Sequence, residues 1–306
     1  MVKSIISNLD TKLGKAVIPV AGLGTRMLPF TKEQPKEMLP IYSKSNSDHV
    51  AIKPIVQMIF EQLYDVGFRE FCFIVGRGKR VIEDHFTIND SLRNLSHGNL
   101  SKTTDIDIFY EKIECSRIAW INQVRPKGFG HAVLLSEYFS SSDKDFLVHA
   151  GDVSIFSLHK TTILERLGNF YNSNDMDVAL VVKKITNHEL LKQHGVIILG
   201  MKYKEGFMVR GVVEKPTDPP SNLAIMPLYI FKAKIYEALK RTTIDCRGEL
   251  QLTDAIQTII ENGGIVGALM MRDDDIRLDI GTPENYLEAL TLSYNLSNGS
   301  SSRELK

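Results

Sequence analysis

Short apolar runs alternate with amphipathic stretches along most of this chain, and that rhythm sets its fold class. Residues 16–21 (Ala-Val-Ile-Pro-Val-Ala) are apolar throughout, which fits a strand buried on both faces. Residues 71–75 and 145–150 read the same way. Residues 54–66 carry apolar side chains at helical spacing, opened by Pro54 and closed by Gly67. Gly76-Arg-Gly-Lys79 leads into a short predicted helix ending at Phe86, and the polar stretch 87–104 reads as helix fragments and loop. Strands are predicted at 106–110 and 118–124, and helices at 129–139 and 158–171. The alternation predicts an α/β fold whose central sheet is mixed but mostly parallel and flanked by helices.

From residue 177 the rhythm changes. Strand-like runs at 177–184, 195–199, 207–213 and 224–231 follow with little helix between them, so antiparallel strands are expected in this half. Helices return at 232–240 and 250–262, then a strand at 265–270 and a last helix from Pro283. No linker interrupts the series, so residues 15–296 are expected to form one domain after a leader, 1–14. The tail 297–306 (Ser-Asn-Gly-Ser-Ser-Ser-Arg-Glu-Leu-Lys) has the composition of a disordered end.

Composition narrows the possible partners. With 306 residues, 43% hydrophobic and 24% charged, the chain can bury a full core. Lys+Arg and Asp+Glu both number 37, and a formal charge of zero argues against nucleic acid or an anionic membrane as partner. Any phosphate binding must therefore be local. Cys72, Cys115 and Cys246 are far apart and show neither metal spacing nor a disulfide framework, which fits a reducing cytoplasm. The leader lacks an apolar signal core, and no stretch approaches the ~18 apolar residues of a membrane span.

The first chemical signal follows the first strand, where Ala21-Gly22-Leu-Gly24-Thr25-Arg26-Met27 breaks the apolar run. Glycines 22 and 24 let backbone N–H groups approach an anion. Met27 stands where a dinucleotide fingerprint needs its third glycine, and Pro29, Pro35 and Pro40 forbid the helix that would follow, so a nicotinamide or flavin site is opposed. A Walker A loop fails too, for want of Gly-Lys-Ser/Thr. Residues 29–40 read instead as an extended loop that brings Lys36 back to Arg26 as a two-cation phosphate clamp.

Other constellations are individually weaker. Gln123 ends a strand ahead of Gly128-Phe-Gly130-His131, and its amide can accept the N3–H of uracil and donate to a carbonyl, while Gly128 lets the backbone near the ring. Thymine pairs with it equally well. Gly151-Asp152 closes an apolar strand, and Arg277-Leu-Asp279-Ile-Gly281 sets a second aspartate among apolar neighbours. Alone, a Gly-Asp is a helix cap or turn, but two such carboxylates could hold one Mg²⁺ that keeps substrate phosphates in its shell. Glu214-Lys215-Pro216 offers an acceptor for sugar hydroxyls beside a cation for a phosphate, though solvated pairs of this kind are common. His194-Gly195 permits a close backbone approach. His131 and His149 lie in apolar elements and read as core or supporting residues.

Taken in order, Gly22-Leu-Gly-Thr-Arg-Met, Pro35-Lys-Glu-Met-Leu-Pro, Gly128-Phe-Gly-His-Ala-Val, Gly211-Val-Val-Glu-Lys-Pro and Glu249-Leu-Gln-Leu-Thr-Asp-Ala-Ile resemble the UTP–glucose-1-phosphate uridylyltransferases of the sugar nucleotidyltransferase family. The likeness runs from about residue 15 to about 289. It implies a Rossmann-like nucleotidyltransferase fold, with a nucleotide-binding half at about 15–155 and a sugar-binding half at about 177–290. It also implies uracil contacts at Ala21, Gly22, Gln123 and Gly128, sugar-phosphate contacts at Gly195, Glu214 and Lys215, and triphosphate contacts at Arg26 and Lys36 beside Gly24 and Thr25. Mg²⁺ on Asp152 and Asp279, UTP and glucose-1-phosphate as substrates, and a homo-oligomer (dimer or tetramer) complete the expectation. The same chemistry on dTTP, or a sugar-nucleotide sensor without turnover, are the rival readings. Residues 42–52 look like an insertion relative to bacterial relatives, Ala150-Gly151 replaces their Leu-Pro, and Gly248 stands where they often carry aspartate.

Overall fold

The computed structural model describes residues 13–45, 49–96, 104–140 and 145–299. The leader through residue 12 and the tail from residue 300 lie outside them. The first half is built on β1 (Lys15–Pro19), followed by single 3-10 turns at Thr25–Met27, Phe30–Lys32 and Lys36–Met38. A hairpin of β2 (Pro40–Lys44) and β3 (Val50–Pro54) leads into α1 (Ile55–Asp65), β4 (Glu70–Val75), α2 (Arg80–His85) and α3 (Asp90–Ser96). Then come α4 (Asp105–Glu114), β5 (Arg117–Asn122), α5 (Phe129–Leu135), α6 (Glu137–Ser140), β6 (Phe146–His149), β7 (Val153–Ser157) and α7 (Ile163–Asn172). The second half runs β8 (Val178–Lys184), α8 (His188–Leu191), β9 (Gly195–Tyr203), β10 (Gly206–Glu214) and β11 (Leu223–Phe231). It ends with α9 (Lys234–Arg241), α10 (Leu252–Glu261), β12 (Val266–Met270), β13 (Asp275–Asp279) and α11 (Pro283–Ser297).

Nine strands make one sheet in the order β5-β4-β1-β6-β11-β8-β12-β10-β9. The first four run parallel. β11 is antiparallel to both β6 and β8, β12 is parallel to β8, and β10 is antiparallel to β12 and β9. The sheet is thus mixed, as expected of this α/β fold: four adjacent parallel strands form one side, and beyond them β8 and β12 are the one parallel pair among antiparallel neighbours. An apolar run shows that a strand is buried and leaves its direction open, because both faces of β6 and β11 are covered.

Side chains alternate across this sheet into a core on each face. Ala16 and Ile18 of β1 join the aromatic cluster of Phe60, Phe71, Phe73, Phe86 and Phe109, while Val17 faces Phe146, Tyr229 and Phe231. Each of these β1 side chains is fully buried, worth roughly 1.5–3 kcal/mol for a Val or Ile.

Three local expectations fail for identifiable reasons. Residues 106–110 belong to helix α4, where a strand was predicted: Ile106, Phe109, Tyr110 and Ile113 recur at i, i+3, i+4 and i+7 on the buried side, and Thr104 with Asp107 forms a capping box. The helix predicted over 158–171 starts only at Ile163, because residues 153–157 form β7 and pair with β13, a strand absent from the sequence reading. The helix predicted over 129–139 breaks at Ser136 into α5 and α6. Residues 42–52 fall in the β2–β3 hairpin, held to α11 by Tyr42 N–H donating to Ser293 (3.2 Å) and by an edge-on contact of Tyr42 with Tyr294.

Candidate active-site cleft

A cleft of about 1390 Å³ opens between the parallel strands and the β9–β10 hairpin, and every residue expected to contact substrate or metal lines it. The loop after β1 contributes Ala21, Gly22, Gly24, Thr25 and Arg26, and the turn at Lys36–Met38 brings Lys36. Gln123 and Gly128 follow β5, Asp152 follows β6, Gly195 starts β9, Glu214 and Lys215 end β10, and Asp279 ends β13. A smaller cavity of about 360 Å³ lies among β3, α2 and α4. There His85, Gln57, Glu61 and Lys53 bond one another.

Lys36 forms an ion pair with Asp152, and both are largely buried. Burial alone would lower the Lys36 amine, but Asp152 and then Glu37 outweigh it and hold it above its ordinary value. Burial alone would raise the Asp152 carboxyl, and Lys36 reverses that as well, leaving it below the usual range. The two cations of the expected clamp are therefore differently placed. Lys36 is held on a carboxylate, while Arg26 is exposed in the cleft and lies against Gly281. A Cβ at Gly281 would meet Asp279 Oδ1 at 2.9 Å and Arg26 Nη2 at 3.1 Å, so both side-chain ends lie close to this glycine.

Asp279 sits opposite Val153 in the β13–β7 ladder, one residue beyond Asp152, and Ile280 N–H donates to the Asp152 carbonyl (3.3 Å). Both residues line the cleft, Asp152 from the turn before β7 and Asp279 from the end of β13. Asp279 is paired with Arg277 and accepts Gly281 N–H at 2.7 Å. Among the described residues no cluster of three or more His, Cys, Asp or Glu side chains could enclose a metal.

Glu214 accepts a hydrogen bond from Thr253 Oγ1 (2.7 Å) and pairs with Lys215 (3.0 Å). The β9–β10 register sets it against Gly195, where a Cβ would come within 3.2 Å of its carboxylate. Lys215 adopts φ 42°, uncommon for a residue with a side chain, and its N–H donates to the His194 carbonyl (3.1 Å).

The structure adds two details at Gln123 and Gly128. Gly128 lines the cleft with φ 91°, and a Cβ there would come within 2.9 Å of both Glu249 Cβ and the Leu250 carbonyl, so its missing side chain makes room for the 249–250 segment. Gln123 does not have a free amide donor: its Nε2 donates to the Gly128 carbonyl (3.3 Å) and to His131 Nδ1 (2.9 Å). Neither His131 nor His149 is among the cleft-lining residues, and His149 Nδ1–H donates to the Ala150 carbonyl at 2.8 Å.

Sequence reading missed several groups in the cleft. Arg277 and Lys183 both line it, with the Lys183 amine lowered by burial and by Arg277, and neither stands out in the sequence. Thr253 was visible only as part of the Glu249-Leu-Gln-Leu-Thr motif. Glu37 is nearly inaccessible and pairs with Lys79 at 2.7 Å, which pins the Lys36 loop to the start of α2. Its signal was an acid held between apolar residues and prolines, costly to bury without a partner.

The nucleotidyl transferase family profile matches residues 15–294. A UTP–glucose-1-phosphate uridylyltransferase from Pseudomonas aeruginosa is 33% identical over 282 residues, covering 92% of this chain and 95% of that one. The Bacillus subtilis uridylyltransferase YngB is 35% identical, covering 92% and 89%. Among solved structures, a UDP-glucose pyrophosphorylase complexed with UDP-glucose superposes with a TM-score of 0.78 at 29% identity over 93% of this chain and 99% of that one. A UTP-bound enzyme from Acinetobacter baumannii gives 0.77 at 28% identity, over 96% and 97%.

Proposed function

Because the chain belongs to the nucleotidyl transferase family, we propose that its cleft holds UTP on the β1–β5 side and glucose-1-phosphate on the β9–β10 side. The reaction is transfer of a uridylyl group from UTP to glucose-1-phosphate, giving UDP-glucose and pyrophosphate. A phosphate oxygen of glucose-1-phosphate bonds to the α-phosphorus as the bond to the β-phosphate oxygen breaks in line. No protein nucleophile is needed, since a phosphate monoester with a second pKa of about 6 is mostly dianionic at neutral pH. The protein's part is positioning and charge neutralisation.

Arg26 and Lys36 take the triphosphate, with backbone N–H groups of the Gly22–Gly24 loop. Gln123 and the backbone at Ala21, Gly22 and Gly128 take the base. Lys215 meets the sugar phosphate, and Glu214, oriented by Thr253, accepts sugar hydroxyls. Lys36 then exchanges Asp152 for a phosphate oxygen. The residues present fit Mg²⁺: Asp152 and Asp279 both line the cleft and would offer it two hard oxygen donors, as expected for an ion that keeps substrate phosphates in its shell. When bound, it would neutralise charge developing on the phosphates.

The observation that carries this reading is the convergence, in one cleft, of strand-end acids, the loop cations and the glutamine from opposite arms of the sheet. Pyrophosphate release from each nucleoside triphosphate, with glucose-1-phosphate and Mg²⁺, tests it. Release with UTP is expected, and a parallel dTTP arm measures how far thymine is accepted. Release with ATP or GTP alone overturns the base site, and no release with any triphosphate overturns the catalytic assignment in favour of a sensor.

A further inference from the structure

Gln123 is buried between the cleft and α5, and its side-chain amide is already half committed. A backbone carbonyl can only accept, so the bond to Gly128 identifies the nitrogen end of the amide. The same nitrogen is 2.9 Å from His131 Nδ1, which must therefore accept, leaving the imidazole proton on Nε2. Burial, and then Lys127 in the preceding turn, lower the proton affinity of His131 and favour this neutral ring. With both amide hydrogens taken, Oε1 is the atom left over; it has no partner among the described residues.

We propose that His131 is a positioning residue for base selection: it locks the Gln123 amide so that Oε1 faces the nucleotide. The pocket then presents a fixed acceptor. Uracil and thymine carry a hydrogen on N3 and satisfy it, whereas cytosine offers a second acceptor and leaves two lone pairs opposed. Without His131 the amide keeps only the long 3.3 Å bond to Gly128 and can rotate, presenting its NH₂ to the base instead. The inference rests on the reading of Gln123 as the base contact. It adds that the selectivity is set one residue behind the cleft, since His131 itself does not line it.

Steady-state kinetics with UTP and with CTP, for the wild type, His131→Ala, His131→Asn and Gln123→Ala, test the proposal. His131→Ala is expected to raise KM for UTP about tenfold with kcat changed less than about twofold, the scale of one lost hydrogen bond in ground-state binding. The preference for UTP over CTP should fall by a similar factor. In His131→Asn an amide oxygen can replace Nδ1 as acceptor, and KM and preference should return to within about twofold of wild type. The proposal is overturned if His131→Ala keeps the wild-type KM and preference, or if it loses kcat equally with both nucleotides and Asn does not rescue it. Gln123→Ala separates the two levels. If it abolishes the preference while His131→Ala does not, only the positioning role fails; if it keeps the preference, the base-site reading fails too.

Discussion

Lys215 joins a functional amine to an unfavourable backbone. At φ 42° its Cβ costs roughly 1–2 kcal/mol relative to an ordinary conformation, and the surrounding register holds it there through the bond to His194 and the pairing of Glu214 with Gly195. Activity and stability should therefore separate at this position. Lys215→Ala is expected to remain folded and lose about a hundredfold or more in kcat, as when one charge-stabilising donor is removed. Lys215→Gly should lose turnover equally yet melt no lower than wild type, because glycine relaxes the backbone. Turnover and thermal unfolding of the two purified variants check this, and near-normal turnover in either removes Lys215 from the site.

The element that delivers Arg277 and Asp279 to the cleft is β13, and it is anchored at its other end. Asp275 is paired with Arg166, accepts Ser157 Oγ at 2.6 Å and accepts Arg272 N–H at 2.7 Å, and both members of the ion pair are buried. Breaking such a pair from one side strands a buried charge. Asp275→Ala should cost about 3–5 kcal/mol, seen as a lower denaturation midpoint, with kcat falling as the β13–β7 ribbon loosens. An unchanged midpoint would mean that this network does not hold the ribbon. Elements with strong periodicity, such as α1 and β4, were legible in the sequence, and so was the glycine loop after β1. The ribbon was not, because Asp-Ile-Arg-Leu-Asp alternates charge and apolar residues over too few positions to stand out from loop, and its partner Val-Ser-Ile-Phe-Ser abuts a helix. Arg277, Lys183 and Glu37 were hidden for a related reason: a single charge reads as solvated until topology shows what it faces.

Across the whole molecule, two imidazoles, the half-buried His85 and the buried His149, tie stability to acidity. Burial lowers His85 and His149 from 6.5 to about 4, with a bond to Ala150 and the nearby Asp152 partly opposing the shift at His149. Between these values the unfolded chain binds protons that the folded chain does not, so stability rises with pH and is lost as pH falls from about 6.5 towards about 4. Each contributes on the order of 2 kcal/mol by the bottom of that window. The melting temperature of His85→Leu should accordingly fall less between pH 7 and pH 4.5 than that of wild type, by about 5 °C. Equal slopes for the two proteins would show that His85 titrates normally.

The same scale reveals what the β6–β11 junction means for dividing the chain. All four strands on one side of it come from residues before 150 and all five on the other from residues after 177, yet the two sets meet as hydrogen-bonded neighbours. A cut near residue 160 would leave each fragment with a raw, apolar strand edge: Phe146–His149 on one and Leu223–Phe231 on the other. Such edges invite either aggregation or each other. The halves are thus a mortise and tenon rather than modules, able to reassemble from two co-expressed pieces but not to be traded singly between proteins.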